Sequence, residues 1–242
     1  MANQYLSEEL GEPAVGSVAS VTGAEARHAV TVSRLAVGES VRVGNGAGLV
    51  AVGPVTSVAP TEFTFVVQVV ERIEHPTPAV WLAQALAKGD RDELAIQAAT
   101  ELGVDGIIPW TASRSVSRWE GPKIAKGQER WRAVVREATK QSTRAWLPEV
   151  APLVTTKQLA ALADGSQLLV LDPLAEQSLT DVELGDRDIV LVVGPEGGIS
   201  PAELEQLSAA GATGVRLGTS ILRTSTAGPA AIAVLSAKLG RW

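Results

Sequence analysis

The sequence contains no cysteine, one methionine, one tyrosine and two histidines, His28 and His75, far apart in the chain. Without thiols there is no disulfide, no thiolate metal site and no cysteine nucleophile. The carboxylates show no ligand spacing, so no metal is expected. No apolar run reaches the roughly 18 residues of a membrane-spanning helix, and no membrane span is expected. The first ten residues carry Glu8 and Glu9 and lack the basic start and apolar core of a secretory leader. Absent too are a phosphate loop and a Gly-x-Gly-x-x-Gly fingerprint placed between a strand and a helix. That weighs against a nucleoside-triphosphate or dinucleotide site. A cytoplasmic protein is the natural expectation.

What is present is an ordinary globular composition, 45% apolar and 20% charged over 242 residues. This suffices for one large domain, or for a small one plus a mid-sized one. The net charge of −6 argues weakly against a nucleic-acid partner, but the distribution of charge matters more. Between Ala112 and Trp146 nine basic residues face three acids, Glu120, Glu129 and Glu137, a local balance of +6. Within that stretch Arg132, Arg136, Lys140 and Arg144 recur every four residues, which puts them on one stripe of a helix. Trp131, Val134, Val135 and Ala138 form its apolar face. Such a stripe suits a solvated surface or one that tracks phosphates. Trp110, Trp119 and Trp146 flank it, and each is either core or a platform for an unpaired base.

The first 74 residues read mostly as strands, at Ser40–Val43, Gly48–Val52 and Glu62–Val70, with one helix over Ala24–Leu35. Gly44-Asn45-Gly46-Ala47-Gly48 lies between two strand-like runs and reads as a hairpin turn. His75-Pro76-Thr77-Pro78 reads as a linker, dividing the chain into domains 1–74 and 75–242. Beyond it, apolar runs at Val80–Leu86, Gly106–Pro109, Leu168–Asp172, Ile189–Val193 and Val215–Leu217 alternate with helical patterns. Those patterns cover Asp90–Leu102, Gly127–Ala145, Thr156–Ala163, Pro201–Ala210 and Thr226–Leu239. Continuous apolar strands separated by helices predict an α/β domain with a buried parallel sheet.

Two corners carry the chemistry. Gly194-Pro195-Glu196-Gly197-Gly198 follows a strand of five apolar residues and precedes a helix. There Ser200 fits the N-cap, Pro201 the first helical position, and Glu203 completes a capping box. Ligands bind at such carboxyl-end corners in open α/β sheets, and glycines let them approach the backbone. A tight connection without a ligand is the alternative. The second corner, Leu217-Gly218-Thr219-Ser220-Ile221-Leu222-Arg223-Thr224-Ser225-Thr226-Ala227, also joins a strand to a helix, with Thr226 as its expected cap. Arg223 is placed either to meet an anion or to tie loops together. After Lys88-Gly89-Asp90-Arg91, a stripe of Glu93, Gln97 and Glu101 faces solvent or a loop of the site.

In this order and spacing the segments resemble the RsmE family of 16S rRNA uridine-N3 methyltransferases, within the SPOUT superfamily. The resemblance runs over nearly the whole chain. His28-Ala29-Val30 with Arg34 looks like the family's N-terminal signature. Lys88-Gly89-Asp90-Arg91, Glu93, Gln97 and Glu101-Leu102-Gly103-Val104 look like its first catalytic-domain block. Arg114, Glu137, Gln141, Ser142, Arg144 and Pro148 fit the middle block, and the two glycine-bearing corners fit the last two. Ser225 departs from the family's usual Glu, Ala98 from a common Lys, and the N-terminus lacks the usual aromatic–basic opening.

The resemblance implies a small PUA-like β-barrel domain followed by a SPOUT domain with a C-terminal trefoil knot, a rare exception to unknotted folding. It implies a homodimer and a cofactor, S-adenosyl-L-methionine. The cofactor would be held by Leu171, Asp172 and Pro173, by Gly194, Pro195, Glu196, Gly197 and Gly198, and by Leu217, Gly218, Ile221, Leu222, Arg223, Thr224, Thr226 and Ala227. RNA contacts are expected from His28, Arg34, Arg91, Arg114, Arg132, Arg136, Lys140 and Arg144. The implied substrate is one uridine of 16S rRNA, expected at position 1498, within the 30S subunit. Arg223 is the first candidate to stabilise the uracil anion and Arg114 the second, while Glu196 serves as a base or orients its loop. A ribose 2′-O methyltransferase of the same superfamily and a non-catalytic RNA-binding or assembly protein are the alternatives.

Overall fold

A computed structural model describes residues 3–242. The described residues form two compact units: one reaches to His75 and takes in Thr139–Leu147, the other comprises Pro76–Ala138 with Pro148–Trp242.

The first unit holds β1 (Asn3–Leu6), β2 (Val18–Thr22), α1 (Gly23–Thr31), β3 (Ser40–Gly44), β4 (Leu49–Ala59), β5 (Glu62–Val66) and β6 (Val69–Arg72). The strands run in the order β1-β3-β4-β5-β2, with β6 also paired to β4. The long β4 serves both parts of the sheet and shifts register between Val55 and Ser57. Gly53 lies beside the chain reversal, where a Cβ would stand 1.8 Å from the Val66 carbonyl oxygen. Only glycine permits that approach. The expected strand Glu62–Val70 is two strands, because Val67 and Gln68 turn their amides to Ser17 and Val52. Helix α1 is shorter than expected and stops at Thr31, before Arg34 enters the left-handed region at φ 54°. Tyr5, Val41, Val43, Phe63 and Phe65 centre its core.

The Gly44–Gly48 hairpin is formed, with the Asn45 side chain accepting from the amides of Ala47 and Leu49. It also receives the segment Thr139–Leu147. Gly48 donates to the Ala145 carbonyl, Leu147 to that of Gly46, and Gln4 to that of Arg144. The Trp146 indole donates to the Ile73 carbonyl at 2.8 Å and meets His75 edge-on. A Cβ at Gly48 would lie 2.5 Å from the Ile73 oxygen and 2.6 Å from the Trp146 ring.

The second unit holds β7 (Val80–Ala85), α2 (Arg91–Glu101), β8 (Gly106–Thr111), α3 (Pro122–Gln141), β9 (Glu149–Val150), β10 (Val154–Thr155), α4 (Thr156–Ala161), β11 (Gln167–Leu171), β12 (Ile189–Val193), α5 (Pro201–Ala209), β13 (Thr213–Val215) and α6 (Thr224–Lys238). The last turn of α3 belongs to the first unit. The sheet order is β10-β8-β7-β12-β11-β13, with β9 on β8, and its pairings are parallel. Alternate residues serve opposite faces. Ala83, Ala85, Val190 and Val192 join Leu159 of α4 and Leu207 of α5 in one core. Leu82 and Val193 face Gly228 of α6, where a Cβ would touch Leu82 at 3.0 Å.

Helix ends differ from the sequence reading for local reasons. The helix expected from Gly127 begins at Pro122, and the missing side chain of Gly127 makes room for Trp119. The same helix ends at Gln141, not Ala145, because Thr143 turns left-handed at φ 56°. Helix α6 begins at Thr224 with Arg223 as N-cap, so Thr226 is not the cap. Leu217 lies beyond the end of β13.

The crowding at Gly48 yields a test. Gly48→Ala should destabilise the protein by about 2 kcal/mol or more, since it adds a backbone clash to a φ of +88°. Gly16→Ala, at φ +87° in open space, should cost only about 1 kcal/mol. Denaturant titration of both variants measures the difference.

Candidate functional site

Three neighbouring strands, β11, β12 and β13, end at one edge of the parallel sheet. The loops that follow them enclose a cavity of about 670 Å³. That lies within the roughly 300–1,000 Å³ of small-molecule sites. Of the residues expected to hold a cofactor, Leu171, Asp172, Pro173, Gly194, Pro195, Glu196, Gly198, Leu217, Gly218, Ile221, Leu222, Arg223, Thr224 and Ala227 line it. Gly197 and Thr226 do not. Gly197 backs onto Arg114, whose Cβ a side chain there would meet at 3.1 Å. Thr226 is exposed on the first turn of α6.

The two glycine-bearing corners are bonded to each other. The Thr224 hydroxyl donates to the Gly194 carbonyl at 2.8 Å, and the buried Gln84 amide donates to Thr224 Oγ1 at 2.9 Å. Thr224 opens α6 while Gly194 closes β12, so this relay sets the width of the gap between the loops. Gly194 is required by close packing, since a Cβ would stand 2.6 Å from Ile199 Cγ1. Gly198 and Gly218 each adopt φ +71° with open space on the Cβ side, leaving backbone accessible.

Glu196 points back to the loop before α2. It accepts from the Lys88 amide at 2.9 Å and from Arg91 at 3.2 Å. Burial pushes its carboxyl up, but bonds from its own and the Lys88 amide, with the Arg91 charge, outweigh this and hold it below the usual range. A carboxylate so satisfied is a poor base and a good loop anchor. In the first turn of α2 the buried Asp92 accepts from the Ala87 amide at 3.1 Å. The capping box of α5 is formed as read: Ser200 accepts from the Glu203 amide and Glu203 from that of Ser200.

The three arginines expected at the site, Arg91, Arg114 and Arg223, line the cavity, but their situations differ. Arg91 is tied to Glu196. Arg114 donates to the Gly197 carbonyl at 3.2 Å. Arg223 is exposed, and its side chain makes no hydrogen bond among the described residues. Sequence reasoning missed Arg216, which also lines the cavity and donates to the carbonyls of Ala175 and Glu176. It missed Gln84 as well, since a glutamine in an apolar strand gives no pattern.

The continuous basic stripe on α3 is not realised. Arg132 is exposed and Arg136 half-buried. Lys140 is buried and ion-paired with Glu25 at 3.3 Å in the first unit. Arg144 lies past the helix end. Of the polar stripe on α2, Glu93 pairs with Arg130 and Gln97 donates to Glu101. His28 and Arg34 are exposed at the end of α1 in the first unit. The tryptophans serve packing: Trp110 is buried and donates to Thr156, Trp119 stacks edge-on against Trp131, and Trp146 docks on Gly48.

Two outcomes follow from this geometry. Thr224→Val removes the relay between the corners and leaves the Gly194 carbonyl without that donor. Thermal unfolding should show a loss of about 1–3 kcal/mol. Glu203 is buried, which raises its carboxyl, but bonds from the hydroxyls and amides of Ser113 and Ser200 carry it down to about 2. Its contribution to stability is therefore complete above the ordinary value of 4.5 and is lost as pH falls toward 2. Wild-type stability should drop over that window by more than that of Glu203→Gln, and equal pH profiles would contradict it.

Comparison with known proteins agrees with this arrangement. Residues 74–236 match the RNA methyltransferase domain family and residues 21–68 the RNA methyltransferase PUA domain family. The ribosomal RNA small subunit methyltransferase E of Mycobacterium tuberculosis (strain CDC 1551 / Oshkosh) is 41% identical over 238 residues, covering 95% of this chain and 90% of the relative. That of Bacillus subtilis (strain 168) is 32% identical over 230 residues, covering 90% and 89%. The crystal structure of the Neisseria gonorrhoeae methyltransferase E, bound to S-adenosyl methionine, superposes with a TM-score of 0.88 at 27% identity over 98% of each chain. With a PUA domain, a parallel-stranded methyltransferase domain and paired glycine corners in one chain, the protein belongs to the ribosomal RNA small subunit methyltransferase E (RsmE) family.

Proposed function

We propose that this protein transfers the methyl group of S-adenosyl-L-methionine to N3 of one uridine in 16S rRNA of the small ribosomal subunit. The observation that carries the reading is the cavity between the bonded corners, lined by Arg114, Arg216 and Arg223, which form no ion pair among the described residues. A relative of the same fold binds S-adenosyl methionine, and the residues here fit that group. Gly198 and Gly218 leave open backbone at the rim, and Leu171, Val215, Leu217 and Leu222 supply an apolar lining. The residues that would hold it are Leu171, Asp172 and Pro173, then Gly194, Pro195, Glu196 and Gly198, then Leu217, Gly218, Ile221 and Leu222, with Thr224 and Ala227. When bound, the group supplies an electrophilic methyl on a sulfonium, and the methyl transfer itself then needs no metal.

The protein's own task is to bring uracil N3 to near-attack distance and to favour its anion. Each pKa unit between N3–H and the working pH costs about 1.4 kcal/mol. A guanidinium beside the carbonyl oxygens offsets part of that cost. Arg223 suits this task because its side chain is uncommitted; Arg114, held on Gly197, is the second. Glu196 orients its loop. Phosphate contacts come from Arg132 and, in the PUA domain, from His28 and Arg34. The working unit in this reading is a cytoplasmic homodimer acting on 16S rRNA within the 30S subunit.

Arg223→Ala should leave cofactor affinity within severalfold by calorimetry while lowering single-turnover transfer by about two orders of magnitude. Mass spectrometry of nucleosides from the modified RNA should show a methyl on the uracil base. A methyl on ribose would overturn the base assignment, and unchanged transfer would remove Arg223 from the mechanism.

A further inference from the structure

Glu203 does more bonding than a helix cap requires. Its residue is 7% exposed, and its two oxygens accept five hydrogen bonds from three separate segments. The amide and hydroxyl of Ser200, at 3.0 and 2.7 Å, belong to the capping box of α5. The Thr156 hydroxyl, at 3.0 Å, comes from the start of α4. The remaining two come from Ser113 beyond β8, its amide at 2.7 Å and its hydroxyl at 2.6 Å. Capping α5 needs neither of these last bonds.

Ser113 immediately precedes Arg114. The guanidinium of Arg114 donates to the Gly197 carbonyl, and its Cβ fills the space left by the absent Gly197 side chain. Ser200 closes the loop that contains Gly197. One carboxylate therefore grips both segments that meet at Arg114. In the segment beyond Ser113 only Ser115 is buried before Trp119 packs on Trp131, while Val116 and Arg118 are exposed. Short charge-assisted bonds at residue 113 leave Arg114 little more than its own side-chain torsions to explore.

We infer that Glu203 is a positioning residue for methyl transfer: through Ser113 it holds Arg114 at the rim of the cavity, beyond its part in capping α5. The inference rests on the methyltransferase reading given under Proposed function. Ionised Glu203 keeps this anchor charged at neutral pH.

Three variants separate positioning from capping. Ser113→Ala removes one bond to Glu203 and spares the capping box. Ser200→Ala weakens the box and spares the Ser113 link. Glu203→Gln weakens both. Each is measured by hydrogen exchange of residues 113–118 in the free protein, by calorimetric affinity for S-adenosylmethionine, and by single-turnover transfer to 30S subunits. Ser113→Ala and Glu203→Gln should speed exchange of residues 113–118 and slow transfer by about tenfold or more, with cofactor affinity within about threefold. In an Arg114→Ala background Ser113→Ala should cause no further loss. Ser200→Ala should lower Tm with exchange of residues 113–118 and transfer within about threefold of wild type.

The inference is overturned if Ser113→Ala matches wild type in both exchange and transfer. It is equally overturned if Ser200→Ala slows transfer as much as Glu203→Gln, or if Ser113→Ala and Arg114→Ala effects simply add. A wild-type protein that transfers no methyl condemns the underlying reading instead. Exchange at residues 113–118 then decides by itself whether Glu203 anchors the loop.

Discussion

The hydrogen bond from the Thr224 hydroxyl to the Gly194 carbonyl joins the end of β12 to the start of α6. Those two points are 30 residues apart in sequence. Neither corner alone forms a container. Each is a turn beyond a parallel strand, with glycines that let something approach its backbone. Bonded together, with Gln84 donating to Thr224 from the neighbouring strand β7, they become two walls of one cavity, and the loop after β11 supplies the third.

The charges around that cavity are sorted by which groups they meet. Glu196 neutralises Arg91 and ties the corner after β12 to the turn before α2. Arg216 serves the carbonyls of the loop after β11. Arg114 serves the Gly197 carbonyl, and Arg223 makes no side-chain hydrogen bond among the described residues. An acidic chain thus presents positive charge where an RNA substrate and its developing anion would be met. The whole-chain charge of −6 hides this, because local field and not net charge steers a polyanion.

The parallel sheet was legible because strands buried on both faces are continuously apolar, as Ile189–Val193 is. The corner at Gly194–Ser200 was legible because Ser200, Pro201 and Glu203 spell a helix start in local chemistry. The start of α6 was misplaced at Thr226 for the same reason: the threonine that matters, Thr224, bonds across space to Gly194 and not to its own helix. The basic stripe failed similarly. Spacing places Lys140 beside Arg136, but not its burial against Glu25, which a residue 115 positions earlier supplies. Gly127 opened an expected helix and Gly48 closed an expected hairpin turn, and both also make room for a tryptophan. Short strands such as β1 and β2 draw their stability from partners and carry little pattern of their own.

The central claim is that the two bonded corners grip one methyl donor between them. The direct measurement is a crystal structure of the protein grown with S-adenosylmethionine. The account predicts density for the donor in the cavity, in contact with both the Gly194–Gly198 loop and the Leu217–Thr224 loop. A donor bound elsewhere, or touching only one of those loops, would contradict it.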